Sequence, residues 1–320
     1  MIAQKTEPKM KAVVIHEYGD PSVLKLEQAR IPDIGPKDIL VRVHATSVNP
    51  MDWKVRAGYA KDWIKLEMPA ILGIDVAGTV EQVGGKVRRF KVGDLIYGKA
   101  SYSKGGSYAE YVAVNEESAA LAPQTIPLDR AAGVPLTATT AYQALFDGAK
   151  LKPGETVIIT GAAGGVGTFA VQFAKIIGAR VIAVTSGANA EMVRSLGADQ
   201  VIDYTREDVA KKTKNADVAF DTVGRESANK AIHALKKGGR LVAIAGEPDK
   251  ELAGSHEINV ISVNASGGRI KLEEIANLID TGKLRVIVDR ELPLSEMKAA
   301  HELSQSGKAR GKIIIKVEPD

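Results

Sequence analysis

Residues 156–167 read TVIITGAAGGVG, from Thr156 to Gly167, and this stretch decides the fold. Its first five residues form a continuous strand pattern with the apolar run VII at its centre, which is typical of a strand buried on both faces of a parallel sheet. The glycine-rich residues 161–167 follow without a gap, and residues 168–177 predict a helix. The stretch therefore predicts a strand, a tight turn and a helix in direct succession.

The turn between this strand and this helix is the first candidate functional site. A dinucleotide pyrophosphate binds at such a turn, because free backbone N–H groups and the positive end of the helix dipole face the anion. Gly164 allows the backbone to approach the pyrophosphate, and Gly167 allows the helix to pack on the strand. Ala162 replaces the first glycine of the G-x-G-x-x-G pattern, so a purely structural glycine turn remains the alternative. The predicted cofactor contacts are Ala163, Gly164, Gly165 and Val166.

Strands and helices continue to alternate after the turn. Apolar strand patterns lie at 180–184, 200–202, 217–221, 240–244 and 258–263, and helical patterns lie between several of them. Since each crossover must pack a helix on the sheet, this order predicts a Rossmann-type, doubly wound parallel sheet. Val223 and Ala245, which follow two of these strands, are further predicted cofactor contacts.

The end of the second strand indicates which dinucleotide binds. An Asp or Glu at this position accepts hydrogen bonds from the adenosine 2′-hydroxyl, and its charge would repel a 2′-phosphate. The chain instead has the neutral residues Thr185 and Ser186, with Arg194 downstream and Tyr204 after the next strand. This pattern favours NADPH over NADH. An ordinary exposed helix residue is the alternative interpretation of Arg194.

The regions on either side of this domain have a different pattern. The N-terminal half contains many short apolar runs separated by turn residues, which predicts a compact β-rich domain. We predict a connector helix at 128–145, followed beyond the parallel sheet by a helix at 270–281, a strand at 286–288, a helix at 294–304 and a strand at 312–317. The prediction is an α/β protein in which residues 1–128 and 264–320 form one domain and residues 129–263 form an inserted Rossmann domain.

Composition limits the chemistry that the chain can perform. At 320 residues and 34.0 kDa it exceeds the usual size of a single hydrophobic core. It has no cysteine, and its five histidines are not spaced as metal ligands on one helix, so no metal is predicted. The 43 basic and 39 acidic residues are interspersed, and a nucleic-acid partner is not expected. Residues 1–10 predict neither a signal peptide nor a membrane span, and the predicted location is cytoplasmic.

Seven segments of the chain resemble the medium-chain dehydrogenase/reductase superfamily and, within it, the zinc-free quinone oxidoreductases related to zeta-crystallin. The segments are MKAVVIHEYG (10–19), VNPMDWKVRAG (48–58), GIDVAGTV (73–80), GGSYAEYV (105–112), LTATTAYQAL (136–145), GAAGGVG (161–167) and ARGKIII (309–315). The resemblance extends over nearly the whole chain. It implies a GroES-like catalytic domain formed by both chain ends, an inserted Rossmann domain, and a cleft in which nicotinamide and substrate meet.

The resemblance also assigns roles to single residues. It implies that Asn49 lies beside the nicotinamide, that Thr140 lies near its ring, and that Tyr59 belongs to the substrate pocket. Asn49 and Tyr59 are therefore the candidate catalytic residues, and Asn49 and Thr140 are candidate cofactor contacts. Without the resemblance, a turn, a helix surface position and an exposed loop are the ordinary interpretations of these residues. Lys54 replaces a tyrosine of some relatives, which leaves the proton donor open, and Asn189 stands near a lysine that several relatives use for the 2′-phosphate.

Zinc-dependent members of the superfamily have a cysteine near the position of Asn49 and a histidine–glutamate pair at positions 74 and 75. This chain has Ile74 and Asp75 there. Without a metal to stabilise an alkoxide, an already electrophilic acceptor is favoured as the substrate. The resemblance thus implies NADPH-dependent reduction of quinones by hydride transfer from nicotinamide C4. Reduction of alkenal or enone double bonds is the first alternative, and non-catalytic binding of NADPH or RNA is the second. A homodimer paired through the strand at 258–263 is also expected.

Overall fold

A computed structural model describes residues 8–263 and 268–317, and the structural statements below concern this part of the chain. Its β-strands are β1 (Lys9–Ile15), β2 (Lys25–Arg30), β3 (Asp38–Val48), β4 (Ala70–Ile71), β5 (Asp75–Val83), β6 (Leu95–Lys99), β7 (Tyr111–Asn115), β8 (Ala119–Leu121), β9 (Thr156–Thr160), β10 (Arg180–Thr185), β11 (Gln200–Asp203), β12 (Ala216–Asp221), β13 (Leu235–Ala243), β14 (Asn259–Ile261), β15 (Val288–Pro293) and β16 (Lys312–Lys316). Its α-helices are α1 (Pro50–Arg56), α2 (Leu128–Ala131), α3 (Pro135–Tyr142), α4 (Gly165–Ile176), α5 (Ala190–Ser195), α6 (Val209–Lys212), α7 (Arg225–Ile232), α8 (Lys250–Ser255), α9 (Arg269–Asp280) and α10 (Met297–Gln305). The expectation about residues 1–10 falls mainly outside the described ranges.

The chain divides into two compact units, each built from separate stretches of sequence. The first unit consists of Met1–Leu136, Gly268–Asp280 and Val288–Asp320, and the second consists of Thr137–Gly267 and Thr281–Ile287. The domain limits predicted from the sequence, at 128/129 and 263/264, stay predictions.

The first unit is built on a seven-stranded sheet. Its strand order is β15-β16-β3-β5-β6-β8, with β7 paired to β3, and a three-stranded sheet β2-β1-β4 belongs to the same unit. Strand β3 is antiparallel to β5, β7 and β16, and almost all of its residues are buried. The end of β3 leads directly into Asn49 and α1, so the strand fixes the position of this candidate residue.

The second unit contains a six-stranded parallel sheet in the order β11-β10-β9-β12-β13-β14. Numbered from its own first strand this is the order 3-2-1-4-5-6, which defines the Rossmann fold and confirms the predicted fold class. Strand β9 is central, and its apolar residues Val157, Ile158 and Ile159 are completely buried because helices cover both faces of the sheet. The chain reverses direction across the sheet between β9 and β12, where ligands bind in folds of this type.

The single connector helix predicted at 128–145 is wrong. The structure has α2, then α3, and then a π-helix at Gln143–Gly148. Pro135 explains the first break, because proline has no N–H and its ring clashes with the preceding turn of a helix. The alanine-rich segment is helical on both sides of this proline, which divides it.

The strand predicted at 286–288 is also misplaced, since β15 begins at Val288. Residues 281–287 belong to the second unit, where the side chain of Gln172 accepts from the N–H of Arg285 at 2.8 Å and donates to its carbonyl at 3.0 Å. These bonds satisfy both backbone groups of Arg285, which consequently needs no neighbouring strand.

One edge of the parallel sheet is formed by β14, which is shorter than the predicted 258–263. Its middle residue, Val260, is 40% exposed.

In the described ranges, none of the helices combines the length and the apolar content that crossing a membrane requires.

Candidate cofactor and active site

The glycine-rich turn joins the end of β9 to the start of α4. Gly161 has a φ of +64°, in the left-handed region that favours glycine. Gly164 is the N-cap of α4 and supplies no side-chain hydrogen bond to the first N–H groups of the helix. The turn therefore offers backbone donors and the positive end of a helix, which are the features that hold a pyrophosphate.

Close packing within the turn explains two of its glycines. A Cβ on Gly167 would lie 2.2 Å from the carbonyl oxygen of Gly161 and 2.7 Å from Cα of Ala162. A Cβ on Gly164 would approach the same carbonyl oxygen only to 3.3 Å. Gly167 is thus needed for the fold of the turn, whereas Gly164 keeps its outer side free of a side chain. The turn can accommodate a dinucleotide, because no side chain caps the N-terminus of α4 and none covers it at Gly164.

The structure brings several predicted cofactor contacts together at this turn. Gly164, Gly165 and Val166 are partly exposed, whereas Ala163 is buried. Val223 is 59% exposed, and one of its methyl groups would lie 3.0 Å from a Cβ on Gly161. Val223 therefore stands beside the turn, as predicted from its place after the strand.

Asp221, at the end of β12, holds this part of the site and was missed by the sequence analysis. Its buried carboxylate accepts from the hydroxyl of Thr160 at 2.5 Å and from the N–H of Gly224 at 2.8 Å. The hydroxyl of Thr222 in turn donates to the carbonyl of Thr160 at 2.8 Å. These bonds join the ends of β9 and β12 at the point where the sheet reverses. The signal was available, because the run DVAFD places a carboxylate at the end of a buried strand.

The predicted 2′-phosphate residues lie at the ends of β10 and β11. Thr185 is buried, Ser186 is partly exposed, and the N–H of Tyr204 donates to the carbonyl of Thr185 at 3.2 Å. Tyr204 is therefore adjacent to the loop after β10, and 62% of it is exposed. The side chain of Asn189 donates to the hydroxyl of Ser186 at 3.2 Å. Arg194 is exposed in the last turn of α5, whereas Ser186 precedes the first turn of that helix.

A carboxylate from the neighbouring strand lies close to this loop, and the sequence analysis did not identify it. Asp203 ends β11, and its Oδ2 would lie 2.6 Å from a Cβ on Gly187. Its Oδ1 accepts from the N–H of Thr205 at 3.0 Å and from its hydroxyl at 2.7 Å, and these bonds lower the pKa of Asp203. Arg206 Nε lies 3.9 Å from Oδ2. The carboxylate is thus bonded within its own turn and has a cation beside it.

Two other predicted cofactor contacts lie in separate elements of the second unit. Thr140 is buried in the last turn of α3, with 8% of it exposed, and Ala245 is partly exposed two residues after β13. Their proposed contacts with the nicotinamide end of a cofactor stay predictions.

Asn49 is part of a buried polar network in the first unit. Only 1% of its surface is exposed. Its Nδ2 donates to Asp75 Oδ2 at 2.8 Å, and its Oδ1 accepts from Lys312 Nζ at 2.5 Å. Asp75 also accepts from the hydroxyl of Ser47 at 2.6 Å and from the N–H of Leu136 at 2.8 Å. The side chain of Asn49 therefore organises its surroundings and presents little surface to a ligand.

A second carboxylate, Asp52, continues the network. It accepts from the N–H of Asn49 at 2.7 Å and from the hydroxyl of Tyr102 at 2.7 Å. Burial raises the pKa of Asp52 to about 6, although these hydrogen bonds act in the opposite direction. The hydroxyl of Tyr108 also bonds Asp52 and lies 3.2 Å from His301 Nε2. Burial, with a smaller effect of Arg56, lowers the pKa of His301 to about 3.

These two shifts give opposite dependences of stability on pH. His301 is held neutral, so its contribution to the free energy of unfolding is present above its unfolded pKa near 6.5 and is lost as pH falls towards 3. Asp52 is held protonated, so its contribution is present below 3.8 and is lost as pH rises through about 6. The free energy of unfolding of the wild type, measured relative to that of His301→Gln, should therefore fall by about 3 kcal/mol between pH 7 and pH 4.

Urea unfolding at both pH values, followed by tryptophan fluorescence, measures this difference. The difference in free energy of unfolding between the wild type and Asp52→Asn should change in the other direction. It should favour the wild type more at pH 4 than at pH 7. The same sign in both comparisons would contradict the assignment of the two buried groups.

Tyr59 lies in the turn after α1 and is 70% exposed. Its ring meets the ring of Trp53 edge to face, with the centroids 6.2 Å apart. Trp63, in the same loop, is also 70% exposed. Each of these large aromatic rings is open to solvent, and an exposed ring is a surface against which a flat molecule can pack.

The described residues contain no group of three or more His, Cys, Asp or Glu side chains that could hold a metal ion. At the positions of the zinc ligands in zinc-dependent relatives, Asn49 and Asp75 bond each other and Lys312 instead. The donors there are an amide, a carboxylate and an ammonium group, and an ammonium group cannot coordinate a metal.

Family models match both units. An alcohol dehydrogenase GroES-like domain matches residues 35–124, and a domain described as zinc-binding dehydrogenase matches residues 196–315. The chain is 35% identical over 325 residues to an NADPH-dependent alkenal/one oxidoreductase of Arabidopsis thaliana, covering 98% of this chain and 81% of the relative. It is 33% identical to a chloroplast envelope quinone oxidoreductase homolog of the same plant, covering 96% of this chain and 98% of that protein.

Solved structures resemble the fold closely. A quinone oxidoreductase from Coxiella burnetii is 32% identical, with a TM-score of 0.89 over 97% of this chain and 100% of the other. Its similarity extends over the GroES-like unit and the parallel-sheet unit alike. The expectations about fold and family are confirmed by these matches.

Proposed function

Since the chain belongs to the medium-chain dehydrogenase/reductase family, in its quinone oxidoreductase-like branch, we propose that this nicotinamide-dependent oxidoreductase uses NADPH to reduce quinones without a metal. The uncapped, glycine-lined start of α4 at the centre of the parallel sheet carries this proposal, because it matches the needs of a dinucleotide pyrophosphate.

The residues of the chain contribute mainly position. Gly164, Gly165 and Val166 present backbone donors to the pyrophosphate, and the network around Asn49 fixes the strand end that precedes α1. When bound, the reduced nicotinamide supplies a hydride to the acceptor. Holding donor and acceptor in alignment can lower a barrier by about 7–11 kcal/mol, which is sufficient for an electrophilic acceptor without a Lewis acid. The proton comes from water or from the exposed hydroxyl of Tyr59.

Reduction of the double bond of an alkenal or enone is the second candidate function. The relative named as an NADPH-dependent alkenal/one oxidoreductase supports it, with identity similar to that of the quinone oxidoreductase homolog. NADPH oxidation should be measured with a panel of quinones and a matched panel of α,β-unsaturated ketones. Higher kcat/KM for the quinones supports the first proposal, and higher kcat/KM for the enones replaces it with the second. Salt-dependent RNA binding without turnover of either panel would favour a non-catalytic role.

A preference for NADPH is expected from the neutral residues after β10. A carboxylate at position 186 would repel the 2′-phosphate and accept hydrogen bonds from the 2′-hydroxyl. Ser186→Asp should therefore weaken NADPH binding by at least about tenfold, or 1.4 kcal/mol, and strengthen NADH binding. Titrations of both cofactors test this, with Ser186→Asn as the uncharged control of similar size. A wild type that prefers NADH would refute the assignment, and the position of Asp203 beside Gly187 would then explain the preference.

We also propose that the chain is a cytoplasmic homodimer, paired through β14. An exposed apolar strand at the edge of a sheet is normally covered by another chain or element. Strand β14 is such an edge strand, and its Val260 is exposed. Light scattering of the wild type and of Val260→Lys should give a dimer and a monomer, respectively.

A further inference from the structure

A buried ammonium group and a buried carboxylate hold the two ends of the Asn49 side chain. Lys312 Nζ donates to Oδ1 at 2.5 Å, and Nδ2 donates to Asp75 Oδ2 at 2.8 Å. A flip of the amide would turn its N–H groups towards the ammonium group and its oxygen towards the carboxylate. The amide is therefore held in one orientation, with its second N–H direction fixed.

The same ion pair reaches the first turn of α3. Lys312 and Asp75 are 2% and 0% exposed in their side chains and lie 3.4 Å apart. Asp75 Oδ1 accepts from the N–H of Leu136, the second residue of α3. Thr140 is four residues further along, on the same face of the helix. One buried pair thus holds both Asn49 and the backbone N–H of Leu136, within the first unit.

We infer that Lys312 is a positioning residue for the reduction, acting through Asn49 directly and through Asp75 on the first turn of α3. The inference rests on the proposed function, since it concerns the two residues expected to serve the nicotinamide. Burying two charges is costly, and apolar residues of similar volume stabilise a core at least as well. Burial also lowers the pKa of Lys312. A fixed amide orientation gives this pair a role that stability does not, because small misplacements in a site reduce turnover strongly.

The absence of cysteine from the sequence allows a direct test. Lys312→Cys creates the only thiol in the chain. In denaturant it can be alkylated with 2-bromoethylamine, which restores an ammonium group at nearly the original length. Alkylation with 1-bromopropane gives a side chain of the same size without the charge. Wild-type protein taken through the same unfolding, alkylation and refolding steps is the control.

The two alkylated forms should differ in kcat. The aminoethyl form should regain wild-type kcat within about twofold, whereas the propyl form should lose about 10²-fold in kcat with little change in the KM for NADPH. A merely structural lysine would not separate kcat from KM in this way. Equal kcat values in the two forms would overturn the inference. If the propyl form does not refold, Lys312→Arg decides, because it keeps the charge but moves the donor. A tenfold fall in kcat is expected there, and an unchanged kcat would overturn the inference.

The side-chain amide of Asn49 gives a readout that needs no substrate. Its ¹⁵N–¹H signals can be identified by their loss in Asn49→Ala. These signals should keep their wild-type positions in the aminoethyl form and move in the propyl form. In Lys312→Arg they should shift only partly. Unchanged signals without the ammonium group would overturn the inference. A wild type that turns over neither quinones nor enones would instead contradict the proposed function, and these signals would still decide the role of Lys312.

Discussion

Gly167→Ala should abolish detectable NADPH binding and destabilise the second unit by about 3 kcal/mol. The added Cβ would meet the carbonyl oxygen of Gly161 at 2.2 Å and Cα of Ala162 at 2.7 Å, and neither backbone atom can move without opening the turn. Opening the turn misaligns the N–H donors of α4. Losing two hydrogen bonds to a charged group is expected to weaken affinity by at least about 100-fold. Fluorescence titration with NADPH and scanning calorimetry measure the two effects.

Two other glycines serve as controls for this substitution. Gly164→Ala should cost much less stability than Gly167→Ala, because its Cβ comes only to 3.3 Å from the same carbonyl, and it should weaken NADPH binding by crowding the phosphate. Gly254→Ala, in α8, meets nothing within 4 Å and should change neither property adversely. If Gly164→Ala binds NADPH as tightly as the wild type, the turn is only structural and the cofactor binds elsewhere.

Asp75→Ala should lower the free energy of unfolding of the first unit by about 3–5 kcal/mol. The substitution leaves the Lys312 ammonium group buried without its counter-charge. It also removes the acceptor of three further donors, which belong to Ser47, Asn49 and Leu136. An unpaired buried charge and unsatisfied buried donors are among the most destabilising changes in a core.

Tryptophan fluorescence reports on this unit selectively, because Trp53 and Trp63, the two tryptophans of the chain, both belong to it. The double variant Asp75→Asn with Lys312→Met removes both charges and should recover part of the loss. Glu226→Gln, which removes an exposed partner of Lys230, should be close to neutral. A loss below about 1 kcal/mol in Asp75→Ala would mean that water reaches the pair.

The Rossmann unit could be predicted because its signals are local. A buried strand, a glycine turn and a helix follow one another in residues 156–177, and each depends on neighbours in sequence. In the structure Val223 lies beside the turn and Tyr204 beside Thr185, since residues that follow parallel strands meet at one edge of a sheet. Their contacts with a cofactor stay predictions. Pro135 is an equally local signal, and it predicts a break that the helical pattern of the surrounding alanines conceals.

The polar network of the first unit could not be predicted from local pattern. Lys312 lies 237 positions from Asp75 in sequence, and only the pairing of β16 with β3 and of β3 with β5 brings the two together. The charge of Asp203 could not be predicted for a related reason, because this residue ends the third strand of the sheet and turns towards the loop after the second. Asn49 was identified by resemblance, yet its burial and its two bonding partners became evident only in the folded chain.

The path of the chain restricts how the protein can be cut. The polypeptide passes between the two units at the bonds 136–137, 267–268, 280–281 and 287–288. A fragment that ends at 267 would therefore leave residues 281–287 of the parallel-sheet unit behind, and one that ends at 287 would carry residues 268–280 of the first unit with it. A gene fragment ending before 281 would expose the side chain of Gln172 that bonds Arg285. Expressing the nucleotide-binding half alone would need a short linker that joins this heptapeptide to the main segment.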